Sequence, residues 1–196
     1  MAHPSSKKDL AAIILRKLSN NPQYHEALTI VKANVTGDIW LIGGIVSRLL
    51  LEELYQIPQE TYDFDFLVEN VAEHLSIPDG WTYQRKKHGN PTFIKNGLEI
   101  DLFPIATHHF IQSRNLTPTI EHFFQGVPFT IQAMAFNIRT GELTGDIGIQ
   151  ALLNREYAVN NREEAQIMAD AKGITINDRI VQKAKSLGLT PVLLES

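Results

Sequence analysis

The chain has 196 residues, enough for one domain that buries roughly 70% of its extended surface without staples. Hydrophobic residues make up 43% and charged residues 20%, the balance of an ordinary globular protein, which excludes a disordered chain. The absence of cysteine excludes disulfides, zinc–thiolate sites and cysteine nucleophiles, and the net charge of −4 excludes a strongly basic nucleic-acid coat while leaving room for a local basic face.

The N-terminal stretch MAHPSSKKDLAAIILRKL has an apolar run at 10–15 that is short and followed by Arg16 and Lys17. It reads as an amphipathic helix rather than a signal peptide. No apolar run reaches the roughly 18 residues of a membrane span. A soluble cytoplasmic protein without membrane association is therefore expected. Residues 9–19 place Leu10, Ile13, Ile14 and Leu18 on one helical face, with Asp9 as candidate N-cap. A second helix is predicted over 23–34, opened by Asn20-Asn21-Pro22. The period then changes: 38–42 is a short apolar strand ending at Gly43-Gly44, 45–55 a leucine-rich helix stopped before Pro58, and 62–68 a strand. One or two helical turns are predicted over 71–76. Strands follow at 81–86, 92–95 and 98–104, with Asn90-Pro91 and Asn96-Gly97 as turn signals. Residues 107–112 and 118–124 read as helical, and 129–138 as an apolar strand turned by Thr140-Gly141. A helix over 148–154, a short strand at 156–159 and helices over 162–172 and 176–187, parted by Gly173, complete the chain.

Three features carry chemistry. The first is strand–Gly43-Gly44–helix. Paired glycines let the backbone turn sharply and approach a ligand, and the helix that follows presents unpaired N–H groups suited to phosphate. The same pair also fits a plain strand-to-helix turn. The second is Asp63-Phe64-Asp65 in YDFDFLV. Alternation places both carboxylates on one face, and Phe64, Phe66 and Val68 on the other. A divalent cation would relieve the repulsion of the two acids, and hard oxygen ligands suit Mg²⁺; an exposed polar face is the alternative. The third is Asp101 in GLEIDLFPI, a lone acid in an apolar strand, costly to bury unless paired or cation-bound. An edge position facing water is the alternative. In this order the three make an acidic cluster beside a glycine turn, the arrangement that two-metal phosphoryl transfer requires.

At these residues the chain resembles the polymerase-beta-type nucleotidyltransferase superfamily. LIGGIVSRLL resembles its glycine motif, DFDFLV its metal-binding Asp-x-Asp motif, and EIDLFPI its third acidic strand. FTIQAMAFNIRTGELTGDIGIQALLNREYAV, residues 129–159, narrows the likeness to the head domain of bacterial poly(A) polymerases and CCA-adding tRNA nucleotidyltransferases. The resemblance implies an α+β nucleotidyltransferase fold, a small mixed sheet flanked by helices. A head domain over 37–160 would lie between helical extensions at 1–36 and 161–196, the latter a short form of the family's neck. It implies Asp63, Asp65 and Asp101 as catalytic and metal-binding residues, with Mg²⁺ or Mn²⁺ as cofactor, and Gly43, Gly44, Ser47 and Arg48 as nucleotide-binding residues. The reaction it implies is attack by an acceptor hydroxyl on the α-phosphate of an NTP, releasing pyrophosphate. The acceptor is a small molecule, a protein or an RNA end.

The chain also departs from the family pattern. Ser47-Arg48 stands where the family has Arg-Asp, Gly126-Val127-Pro128 where it has Arg-Arg-Asp, Gln132 in place of its asparagine, and Thr107-His108-His109 where an arginine is usual. Several phosphate-binding cations are thus missing, and the tail lacks the neck's Glu-Asp-x-x-Arg motif. A tRNA grip of the family's kind is not expected. Two readings stay open at this level: a nucleotidyltransferase, or a catalytically degenerate module that binds a nucleotide or a protein partner. The basic run Arg85-Lys86-Lys87-His88 reads either as a contact for acceptor phosphates or as a solvated hairpin end, and His108-His109 either as a replacement phosphate contact or as a solvated helix start.

Overall fold

Helix α1 (Lys7–Ser19) turns Leu10, Ala11, Ile14 and Leu18 inward. Its N-cap is Ser6, not Asp9: the Ser6 hydroxyl accepts from the Asp9 N–H at 3.1 Å and donates to the Asp9 carboxylate at 2.6 Å. Asn21 caps α2 (Pro22–Asn34), as the turn residues imply. The computed structural model describes residues 6–58, 63–86 and 89–195.

Strand β1 (Val35–Ile42) runs directly out of α2 and is longer than its apolar core suggests. Its opening residues pair with the end of β2 (Phe64–Val71), Val35 opposite Val71 and Thr36 opposite Asn70. No helix forms over 71–76, because Val71 is committed to the sheet and the next residues are held in an extended loop. Asn34 holds that loop: its buried side chain accepts from the Ser76 N–H at 2.6 Å and donates to the Ser76 carbonyl at 2.9 Å. Tyr62, expected to open the strand, lies outside the described residues.

Strands β3 (Thr82–Arg85), β4 (Pro91–Lys95), β5 (Leu98–Pro104), β6 (Ala135–Asn137) and β7 (Leu143–Thr144) complete a mixed sheet in the order β3-β4-β5-β2-β1-β6-β7. β2 and β5 run parallel, and the other neighbouring strands antiparallel. Asn96 and Gly97 turn β4 into β5 with φ of 50° and 82°, the left-handed pair of a type I′ hairpin. On one face Phe64, Phe66, Val68, Ile100 and Leu102 join a core with α1, α2 and α3 (Gly44–Tyr55). On the other, Leu67 and Phe103 pack under a 3₁₀ turn (Ile105–Thr107) and the short helices α4 (His109–Ser113) and α5 (Ile120–Gly126). His108 sits here, edge-on to Phe123 at 5.0 Å between ring centroids, with no hydrogen-bond partner on Nδ1. With Nδ1 buried, His108 is not a solvated helix start. Burial, with the neighbouring His109, pushes its pKa down to about 4.

The single strand expected over 129–138 is broken. Phe129 makes one bridge to Val159, Thr130–Gln132 forms a 3₁₀ turn, and only Ala135–Asn137 is strand. Helix α6 (Asp146–Leu153) docks on this turn, its Gly148 N–H donating to the Ala133 carbonyl at 3.2 Å. A Cβ at Gly148 would lie 2.7 Å from that carbonyl oxygen, so the close approach requires glycine. The short strands β8 (Glu156–Tyr157) and β9 (Thr190–Pro191) pair in parallel and flank α7 (Arg162–Asp170) and α8 (Ile176–Leu187). Ile180, Ala184 and Leu187 of α8 enter the same core as Leu10 and Ile14 of α1. Among the described residues no helix is long and apolar enough to cross a membrane.

Asn34→Ala leaves both Ser76 backbone groups without their partner and is expected to lower stability by about 1–3 kcal/mol, read as a lower urea midpoint at unchanged slope. His108 is held neutral, so the stability it contributes is fully present above its ordinary pKa of 6.5 and is lost as pH falls through about 4. Replacing it with leucine should reduce the fall in melting temperature between neutral pH and pH 4, by the equivalent of up to about 3 kcal/mol. Equal falls in the two proteins would show that another group governs acid unfolding.

Candidate active site

The site is built around the end of β1. Ile42 stands opposite Asp65 in the sheet, and Gly43, next along, turns the chain with φ of 72° into α3. A side chain here would be strained, and its Cβ would meet the Asp65 carboxylate at 2.6 Å. The glycine turn is therefore laid against that carboxylate. One helical turn on, the Arg48 guanidinium folds back over Gly44, whose added Cβ would stand 3.4 Å from its Cζ. Ser47 is buried and donates to the Gly44 carbonyl at 3.0 Å.

The carboxylates arrive from two strands. Alternation along β2 sends Phe64 and Phe66 into the helical core, leaving Asp65 on the face shared with Leu67. Asp63 is exposed and immediately precedes the strand. Asp101 lies directly opposite Asp65 on β5. Burial pushes the Asp65 carboxyl up to about 7, and the charges of Asp101 and Asp63 add to the rise, while Lys86 and Arg48 oppose it. Asp101 itself is 7% exposed, and each of its oxygens accepts a hydrogen bond. The Thr92 hydroxyl donates to Oδ1, and the Lys86 ammonium to Oδ2 at 2.6 Å.

A cleft of about 170 Å³ opens beside the glycine turn, lined by Gly43, Gly44, Ser47, Arg48, Asp63 and Asp65. All four nucleotide-binding candidates and two of the three acids thus meet in one place. Asp101 does not line the cleft and stands behind Asp65. The opposite wall comes from α8, whose Arg179 and Lys183 are four residues apart and share a helical face. Burial pushes Lys183 down, and so do the charges of Arg179, Arg48 and Lys172. Arg48, Arg179 and Lys183 therefore form one cationic field facing Asp63 and Asp65. Two buried polar atoms of cleft residues, Arg179 Nε and Gln132 Oε1, have no hydrogen-bond partner. Tyr157 lines the cleft too, and burial raises its phenol further above the usual range.

Arg179 and Lys183 were not among the candidates from sequence. Their only local signal is an Arg-x-x-x-Lys spacing beside the buried Ile180, Ala184 and Leu187, and nothing in that spacing connects them to Gly43. The other basic candidates fall elsewhere. His109 is exposed, with Nδ1 3.7 Å from Glu164. Arg85 donates to the Gly89 carbonyl at 2.8 Å, and Lys87 and His88 lie outside the described residues. Among the described residues no group of three or more His, Asp or Glu side chains is gathered as a ready metal cage.

No protein-family model matches the sequence, and no curated protein matches it. Solved structures do. A CCA-adding enzyme with CTP is 18% identical over 93% of this chain and 41% of its own, with a TM-score of 0.55. A tRNA-processing enzyme in an apo form is 15% identical over 96% of this chain and 45% of its own, with a TM-score of 0.52. A tRNA-processing enzyme with CTP is 17% identical over 78% and 39%, with a TM-score of 0.51. The chain spans about two fifths of the length of these proteins, and what it has in common with them is the fold.

Proposed function

We propose that this chain transfers a nucleoside monophosphate from an NTP to an acceptor hydroxyl, with release of pyrophosphate. One observation carries the reading: a glycine turn, two carboxylates and three cations line one cleft. The acceptor oxygen forms a bond to the α-phosphorus as the bond from that phosphorus to the bridging oxygen of the leaving pyrophosphate breaks. The triphosphate carries the negative charge that Arg48, Arg179 and Lys183 face, and the unpartnered Arg179 Nε is a donor of the kind a phosphate oxygen takes up. The Gly43-Gly44 turn leaves room for phosphate against the backbone at the start of α3. Pockets that enclose a whole drug-sized ligand run to about 300–1,000 Å³. A cleft of about 170 Å³ suits the charged end of a nucleotide, with the base outside.

The donor set fits a divalent ion. Mg²⁺ is usually held by one or two carboxylates together with substrate phosphates, and Asp63 and Asp65 are the carboxylates that line the cleft. A bound ion, Mg²⁺ or Mn²⁺, would supply positive charge to the phosphates and relieve the repulsion that adds to burial in raising the Asp65 carboxyl. Gln132 Oε1 is left as a hydrogen-bond acceptor for the sugar or base. A second reading, a module that binds a nucleotide without turnover, is favoured by one observation, the engagement of Asp101 by Lys86.

The first test is thermal unfolding with ATP, CTP, GTP and UTP, each with and without Mg²⁺, followed by pyrophosphate release over an acceptor screen. A metal-dependent rise in melting temperature is expected, and no rise with any NTP would remove the nucleotide site. A rise without pyrophosphate release would favour the binding module. Asp63→Ala and Asp65→Ala should each lower release at least about a hundredfold while the protein stays folded. Arg179→Gln and Lys183→Met should each raise KM for the NTP by about tenfold to a hundredfold; an unchanged KM in both would remove α8 from the triphosphate site.

A further inference from the structure

Lys86 comes from outside the cleft and ends inside the acidic cluster. It follows β3, and its backbone is fixed by the turn into β4: its N–H donates to the Asn90 carbonyl at 3.0 Å, and its carbonyl accepts from the Gly89 N–H at 2.8 Å. The ammonium is then placed between two carboxylates of β5, 2.6 Å from Asp101 Oδ2 and 3.0 Å from Glu99 Oε2. Thr92, opposite Asp101 on β4, donates its hydroxyl to the remaining oxygen of Asp101. Both oxygens of the third acid are thus taken by donors of this chain. A metal on Asp101 would have to displace the ammonium or sit beside it, like charge against like charge, at a site only 7% exposed. Among the described residues neither Asp63 nor Asp65 forms an ion pair with a lysine, and both line the cleft.

We infer that the chain binds one divalent ion where two-metal phosphoryl transfer uses two, with the Lys86 ammonium standing on Asp101 in place of the second. The inference rests on the nucleotidyl-transfer reading above. Lys86 stands on Asp101 and Glu99 together, and Asp63 and Asp65 are the two acids of the cleft left for a divalent ion. A fixed ammonium supplies one positive charge instead of two and cannot lower the pKa of a bound hydroxyl by coordination. Activation of the acceptor is therefore expected to rely on field and positioning more than on metal ligation.

The experiment is equilibrium dialysis of the whole chain against Mn²⁺ and a non-hydrolysable NTP analogue, counting both per chain. One Mn²⁺ per bound analogue is expected for the wild type and for Lys86→Arg, and two for Lys86→Met, which releases Asp101. Lys86 is 40% exposed, and a melting curve confirms that each variant folds. Two Mn²⁺ per analogue in the wild type overturns the inference and leaves the nucleotidyl-transfer reading intact. One in a folded Lys86→Met also overturns it, because Lys86 is then not what excludes the second ion. Neither ion nor analogue on the wild type overturns both readings together. If Lys86→Met does not fold, the wild-type count alone decides.

Discussion

Asp65 and Asp101 face each other across neighbouring parallel strands, and the charges around them are arranged in answer to their repulsion. The pairing of β2 with β5 sets the two acids opposite one another. The alternation that sends Phe64, Phe66, Ile100 and Leu102 into the helical core leaves both carboxylates on the other face. Two acids held this close in a poorly hydrated sheet cannot both ionise without compensation. The fold supplies it unequally. Asp101 receives Lys86 and the Thr92 hydroxyl, while Asp65 receives the more distant charges of Lys86 and Arg48 and keeps a raised pKa. That asymmetry leaves one carboxylate pair, Asp63 and Asp65, as the open end of the cluster.

The positive side of the cleft is assembled from helices far apart in sequence. Arg48 comes from the first turns of α3, and Arg179 and Lys183 from α8. What orients α8 is apolar: Ile180, Ala184 and Leu187 are buried in the main core, so the adjoining helical face, with Arg179 and Lys183, is turned to the cleft. Hydrophobic packing thereby determines an electrostatic property. The helix is held at both ends. Thr175 and Asp178 form a capping box at its start, and Gly188 ends it with a left-handed φ of 67°. A mutual repulsion of cations, which adds to burial in lowering Lys183, is tolerated because the helix cannot move away without unburying its apolar face.

Much of the fold could be read from local pattern. The glycine pair, the alternation in β2 and β5, and the Asn96-Gly97 hairpin are short-range signals, and each element stands where its signal puts it. The misreadings share a cause. Residues 71–76 have helical spacing, but pairing between β1 and β2 and the grip of Asn34 on Ser76 outweigh it. Residues 129–138 have strand-like composition, but the docking of α6 at Gly148 breaks the run. Ser6 rather than Asp9 caps α1, because the cap is set by which residue leaves helical geometry.

For the site, the sequence by itself determined the acids, the glycine turn and their order along the chain. Those features lie on single elements, where spacing of two residues or a change of period has a direct structural meaning. Only the tertiary structure decided which charges compensate them. Local spacing shows which face of a helix or strand is buried, but not what lies opposite that face. The partners here come from residues 86, 92, 179 and 183, brought together by strand order and by the burial of α8. The same chain composition with α8 packed elsewhere would keep its acids and lose the cleft.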